Sequence, residues 1–190
     1  FLPVSLPPDM TDQTLIPPAQ FALILDRLAH QLIEHHDFSN TVLVGLQPRG
    51  SRLAERLQRR LHELQPECVV PCGKLDVTFF RDDIRSNDKL LSPNVNDMGF
   101  TVEGRDVVLV DDVLFKGRTV RAALDAVHYL GRPQCIQLAV LVDRGHRELP
   151  IKPNFVGKNF PTALDEQIQV SLTETGGDDT VSLSPLQTEE

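Results

Sequence analysis

Val107-Val108-Leu109-Val110-Asp111-Asp112-Val113-Leu114-Phe115-Lys116-Gly117-Arg118-Thr119 is the stretch on which the reading of this chain turns. Four aliphatic residues in a row, without alternation, predict a strand buried on both faces, as in a parallel sheet. Two carboxylates stand where that strand is expected to end, followed by a short loop and an amphipathic helix. In open α/β sheets, ligands gather at the carboxyl ends of strands. The glycine turn directs backbone N–H groups outward at a helix N-terminus, which suits a phosphate. Asp111 and Asp112 would repel that phosphate, whereas carboxylates accept hydrogen bonds from hydroxyls well. A sugar bearing a phosphate is the simplest ligand that satisfies both halves.

Outward from this stretch, strand and helix signals alternate, as in a doubly wound, mostly parallel α/β sheet. Residues 1–18 carry five prolines and little periodicity, and read as a disordered arm. A helix is expected over 19–36, with Phe21, Ile24, Leu25, Leu28 and Leu32 on one face and Pro17-Pro18 at its entrance. A strand over 41–46 follows. The next helix is capped by Ser51, carries the stripe Leu53, Leu57, Leu61 and Leu64, and stops at Pro66. A strand is expected over 75–80, then a long polar segment to Arg105 that reads as a lid. Strand 107–111, helix 118–130 with Gly131 as a left-handed cap, and strand 136–142 make a βαβ unit. The main domain is expected over 19–173. The acidic tail 174–190 is expected to be partly disordered, with strand signals over 167–173 and 180–183 around Gly176-Gly177.

At 190 residues the chain suits one full hydrophobic core. No apolar run reaches the ~18 residues a membrane span needs, and 1–8 lack the basic start of a secretory signal. The chain starts at Phe1, and Met10 is an alternative start. Cys68, Cys72 and Cys135 fit neither a disulfide framework nor a zinc site, and point to free thiols in a cytoplasmic setting. Of the net charge of −8, −5 lies in 171–190 and −2 in 1–18, leaving −1 for the body. A local polyanion patch on the body is therefore compatible with the overall acidity.

The run 107–119 resembles the phosphoribosyl-pyrophosphate (PRPP) signature of the type I phosphoribosyltransferases. Further stretches narrow the resemblance to the family of bifunctional pyrimidine operon regulators and uracil phosphoribosyltransferases. They are Val42-Leu43-Val44-Gly45-Leu46-Gln47-Pro48-Arg49-Gly50, Phe80-Arg81-Asp82-Asp83, Gly131-Arg132-Pro133, the run from Leu138 through Asp143-Arg144-Gly145-His146-Arg147-Glu148-Leu149-Pro150 to Ile151, and Gly157-Lys158-Asn159. The similarity spans about residues 19–172. It implies a type I phosphoribosyltransferase fold with a small hood, converting uracil and PRPP to UMP and pyrophosphate.

By this resemblance, Asp111 and Asp112 bind the ribose 2′- and 3′-hydroxyls, and Val113, Leu114, Phe115, Lys116, Gly117, Arg118 and Thr119 wrap the 5′-phosphate. Lys116 departs from the threonine common there, and offers an ammonium as a point charge. Pro48, Arg49 and Gly50 contact the pyrophosphate, with Arg49 neutralising its departing charge. Arg81 and Arg85 close over it from the lid, with Asp82, Asp83 and Asp88 at the hinge. The catalytic set is thus Asp111, Asp112 and Arg49. Uracil lies under 143–150, with Arg144 as the side-chain candidate for the base or nucleotide pocket. Mg2+ comes with the pyrophosphate near Asp111 and Asp112, without a dedicated protein cage.

The resemblance also implies a second role: binding the leader of pyrimidine-operon messenger RNA in response to uridine nucleotides such as UMP and UTP. Candidate basic residues are Arg27, His30, Arg147, Lys152 and Lys158, although such scattered charges also serve as a solvated face. His146 and Arg147 equally suit the charged ends of a tight turn. A homo-oligomer, dimer or larger, is expected. Three competing readings stand beside the main one: a non-catalytic, nucleotide-sensing RNA-binding attenuator, a purine phosphoribosyltransferase, and a receiver or P-loop protein. The last is disfavoured, because the acidic pair lies more than a hundred residues in and G-x-x-x-x-G-K-[S/T] is absent.

Overall fold

The computed structural model describes residues 13–80 and 98–186. Its centre is a five-stranded, all-parallel sheet in the order β3-β2-β4-β5-β6, built from β2 (Thr41–Leu46), β3 (Cys72–Leu75), β4 (Asp106–Leu114), β5 (Cys135–Asp143) and β6 (Phe155–Asn159). Consecutive side chains on a strand face opposite ways, so each strand feeds two cores. Leu43, Val108, Val110, Ala139 and Leu141 pack with α1 (Pro18–His35) and α2 (Arg49–Leu64). Val42, Val44, Val107, Leu109, Leu138 and Val140 pack with α3 (Arg118–Leu130) on the other face. This two-sided burial explains why β2 and the start of β4 read as unbroken aliphatic runs.

The strand order reverses between β2 and β4. From β2 the chain crosses through α2 outward to β3, and from β4 through α3 to β5 on the other side. The carboxyl ends of β2 and β4 therefore flank the topological switch point, where a crevice opens in such sheets. Pairing with β2 stops at Gly45 opposite Val110, while β4 continues along β5 to Leu114 opposite Asp143. Asp111 and Asp112 thus lie inside β4 rather than at its end, on a stretch whose β2 side is no longer paired.

A second sheet, β1-β8-β7, sits beside the carboxyl ends and forms the hood. It is antiparallel, from β1 (Gln13–Ile16), β7 (Glu166–Ser171) and β8 (Thr180–Pro185). Part of the stretch expected as a disordered arm is therefore a strand, with Ile16 fully buried. Part of the expected tail is its partner, and Leu183 is opposite Gln13. Arg56 of α2 ties this hood down: its Nε lies 2.8 Å from Glu174, its Nη1 2.8 Å from Asp179, and its Nη2 2.9 Å from Thr173 Oγ1.

Other expectations shift by identifiable local chemistry. The third strand covers 72–75 rather than 75–80, because Asp76 accepts the Thr78 N–H at 2.9 Å and turns the chain into a 3-10 turn at Thr78–Phe80. Ser51 lies inside α2, not at its cap, and its hydroxyl donates to the Pro48 carbonyl at 2.8 Å. Gly131 closes α3 in an extended conformation (φ 163°), not a left-handed one. The short strand β6, whose Gly157 and Lys158 break any apolar run, had no periodic signal. Cys68, Cys72 and Cys135 are free thiols. Among the described residues, no helix is long and apolar enough to cross a membrane.

Candidate active site at the switch point

Two helix N-termini meet at the crevice. The chain leaves β2 through Gln47 and Pro48 and enters α2 at Arg49, so the first N–H groups of α2 face the carboxyl end of the sheet. The chain leaves β4 through Phe115 and Lys116, and Gly117 adopts φ +94° to start α3. That left-handed backbone favours glycine, which leaves the first turn of α3 without a side-chain cap. Residues Asp111, Val113, Leu114, Phe115, Lys116, Gly117, Arg118, Thr119 and Val120 enclose a cavity of about 150 Å³ over that turn. This is several water molecules' worth of space, walled by amide groups, a hydroxyl and two cations.

Gly50 allows the two loops to meet. A Cβ there would stand 2.3 Å from the Val110 carbonyl oxygen and 3.0 Å from Asp111 Cα. This approach brings Arg49 to Asp112, with guanidinium and carboxylate 3.5 Å apart. The two aspartates have different surroundings. Asp111 is 7% exposed, and its Oδ1 accepts the Asp112 N–H at 2.9 Å. Burial, then the neighbouring Asp112 charge, pushes the Asp111 carboxyl well above the usual carboxylate range. Asp112 is half-buried, accepts the Val113 N–H at 2.8 Å and turns its other oxygen to Arg49. Asp112 is the more available acceptor for sugar hydroxyls.

A larger cavity of about 580 Å³ lies between the Pro48 loop and the hood. Gln47, Pro48, Arg49 and Arg52 line one side, Lys74 another, and Gln169, Ser171, Thr175 and Ser182 the hood side. The hood residues had no motif to announce them; their place here depends on the pairing of β1, β8 and β7. Arg52 and Lys74 share Glu55, at 3.4 Å and 2.7 Å.

Arg144, expected in the base pocket, is instead a buried brace. Its guanidinium donates to Thr162 Oγ1 at 2.9 Å and to the carbonyls of Ala163 and Glu166 at 3.0 Å and 2.7 Å. It also stacks 3.9 Å from the centroid of the Phe115 ring. Five guanidinium N–H groups, three so occupied, make it a connector between the turn at Phe115 and the hood entrance. Arg147 is likewise embedded. It donates to the Phe115 carbonyl at 2.7 Å and pairs with Asp143 at 2.5 Å, which favours the turn-end reading over RNA contact. The remaining RNA candidates are exposed. Arg27 donates to the Gly157 carbonyl and, with Lys158, Gln20, Leu23 and Ile24, lines a groove of about 190 Å³. His30 lies 3.9 Å from Asp26, and Lys152 is on the surface apart from these contacts. Arg81, Arg85 and the expected lid as far as residue 97 lie outside the described residues, whereas its last part, 98–105, is described and includes the buried Val102.

The chain is similar to known proteins over most of its length. A family profile described as the phosphoribosyl transferase domain matches residues 15–169. A "Bifunctional protein PyrR" from Ligilactobacillus salivarius is 50% identical over 165 residues, which are 85% of this chain and 92% of the relative. Its namesake from Streptomyces coelicolor is 50% identical over 163 residues, 85% of this chain and 84% of that protein. Among solved structures, a hypoxanthine-guanine phosphoribosyltransferase from Bacillus anthracis superposes with a TM-score of 0.68 at 20% identity, covering 94% of this chain and all of the other. At that identity the likeness speaks for the fold alone. The switch-point crevice, the hood and these relatives lead to one assignment: the chain belongs to the phosphoribosyltransferase family, in the branch of the bifunctional PyrR proteins.

Proposed function

We infer that the chain is a uracil phosphoribosyltransferase that also regulates pyrimidine biosynthesis genes. The observation that carries the catalytic half is the convergence of the α2 and α3 N-termini on either side of Asp111 and Asp112, with Arg49 3.5 Å from Asp112. One amide-rich turn suits the 5′-phosphate, the other suits pyrophosphate, and the acidic residue between them suits the ribose. In the reaction the ribose C1–oxygen bond to pyrophosphate breaks and a C1–nitrogen bond to uracil forms. The uracil proton leaves to pyrophosphate or water. Asp112 accepts the ribose hydroxyls, and Arg49 exchanges Asp112 for the departing pyrophosphate, whose growing charge it offsets. Residues 113–119 fix the far end of the ribose phosphate, so that C1 is aimed at the base.

Buried Asp111 accepts the Asp112 backbone N–H and so orients Asp112 from within the sheet. Arg144 keeps the phosphate turn in place by its stack on Phe115. Mg2+ with PRPP fits this donor set. The substrate's own pyrophosphate oxygens would supply most of that ion's ligands, with Asp111 and Asp112 beside them. That ion supplies charge neutralisation on the pyrophosphate when bound. Pyrophosphate release from PRPP, measured across uracil, orotate, guanine and hypoxanthine, tests the assignment. Release with uracil alone supports it, and release with a purine alone would replace it. No release despite confirmed PRPP binding would leave the non-catalytic attenuator.

For the regulatory half, the ligand is the leader of pyrimidine-operon messenger RNA, and uridine nucleotides promote its binding by a homo-oligomer in the cytoplasm. Arg27 and Lys158 are the favoured contacts, because they share one groove. Titration of leader RNA with and without UMP tests this. UMP-dependent binding that survives moderate salt supports the proposal, and identical, salt-erased binding to unrelated RNA refutes it.

A further inference from the structure

The turn into α3 carries two cations, Lys116 ahead of the helix and Arg118 at its first residue, and both line the 150 Å³ cavity. Both also reach the same carboxylate outside it. Glu148 Oε1 lies 2.8 Å from Lys116 Nζ, and Glu148 Oε2 lies 2.8 Å from Arg118 Nη2. The segment is held there by its backbone as well: the Glu148 N–H donates to the Lys116 carbonyl at 3.1 Å, and Ile151 and Leu149 pack where a Gly117 Cβ would be. Glu148 itself does not line the cavity.

We propose that Glu148 is an intramolecular competitor for the phosphoryl group bound at this turn, setting its affinity by holding Lys116 and Arg118. The inference rests on the phosphate reading of residues 113–119 given above. Two cations beside the positive end of a helix dipole are an unfavourable concentration of charge. A single carboxylate relieves it when no ligand is present. A phosphate entering the cavity carries the same sign as Glu148 and wants the same partners. It must draw the two cations off Glu148, or bind with that carboxylate nearby. Either course lowers affinity and eases release of the phosphorylated product. All three side chains are about 40% exposed, so the pairs exchange readily.

The test is calorimetric titration of the full chain with UMP at two ionic strengths. The variants are Glu148→Gln, Glu148→Asp, Lys116→Met and the double variant Lys116→Met/Glu148→Gln. Glutamine keeps the backbone N–H and the length but not the charge. Glu148→Gln should bind UMP about three- to tenfold more tightly, the range for releasing two half-exposed ion pairs, with a steeper salt dependence. The gain should shrink in the Lys116→Met background, and Glu148→Asp should stay near wild type. If Glu148 only braced the turn, Glu148→Gln would weaken binding equally in both backgrounds with unchanged salt dependence, and the inference would fall. Unaltered UMP affinity in Glu148→Gln, with normal binding by the wild type, overturns the inference alone. Absence of UMP binding by the wild type removes the phosphate reading and the inference together.

Discussion

Replacing Gly50 by alanine probes the contact on which the crevice depends. The added methyl would meet the Val110 carbonyl oxygen at 2.3 Å and Asp111 Cα at 3.0 Å, whereas ordinary contact begins at 3.4 Å. Both neighbours are backbone atoms of the central strand, so no rotamer change relieves the clash. The N-terminus of α2 must instead retreat from β4 by roughly 1 Å to restore contact distance. Arg49 is the adjacent residue and moves with it, away from an Asp112 that is 3.5 Å distant now. Overpacking of this kind costs about 1–3 kcal/mol. In a chain of this size each kcal/mol lowers Tm by about 2–4 °C. A displacement of about 1 Å among reacting groups costs up to ~100-fold in rate. Thermal unfolding and pyrophosphate release with PRPP varied should therefore give a folded variant, a Tm lower by several degrees, and kcat/KM reduced ten- to a hundredfold (order of magnitude). Gly99 is the control, since a Cβ there meets nothing within 4 Å. Its alanine variant should match wild type. Wild-type Tm and kcat/KM in Gly50→Ala would refute the claim that this close approach assembles the site.

Three further outcomes follow from the charges. Asp112→Asn should lower kcat/KM for PRPP by about tenfold or more, roughly 1.4 kcal/mol of transition-state binding, with little change in Tm; an unaltered value would remove Asp112 from the ribose. Asp111→Asn should raise Tm at neutral pH. Burial lifts the Asp111 carboxyl above its unfolded value, so its ionisation opposes folding once the pH exceeds the unfolded value, and the penalty eases as pH falls. A lower Tm for this variant at pH 7 would mean the ionised form is held better than its surroundings indicate. Arg56→Met should loosen the hood, detected as faster proteolysis within 166–186, because Glu174 and Asp179 lose their partner. Their carboxyls are held below the usual range by Arg56, so the stabilisation is present at neutral pH and is lost as pH falls through those lowered values. Hood protection that is identical in the variant at pH 7 would count against this tie.

Much of the architecture is legible from short-range pattern. The aliphatic run Val107–Val110 and the all-buried β2 specify strands with two covered faces, and the stripe of α2 matches its buried residues Leu53, Leu57 and Leu61. Periodicity is a local property, and burial on a regular element repeats it. The acidic pair, the glycine turn and their order along the chain likewise stand in the sequence, and they are the basis for proposing a sugar phosphate. The tertiary structure decided what no window of residues contains. It carried Gln13–Ile16 across to Thr180–Pro185 to close the hood, set Arg49 against Asp112, and buried Asp111 while leaving Asp112 half-buried beside it. It also diverted Arg144 and Arg147 into bracing the turn at Phe115 and attached Glu148 to Lys116 and Arg118. A charged side chain's task depends on which partner reaches it first, and such partners can be far along the chain, as Arg56 and Asp179 are, 123 positions apart, so long-range packing, not local propensity, assigns the roles.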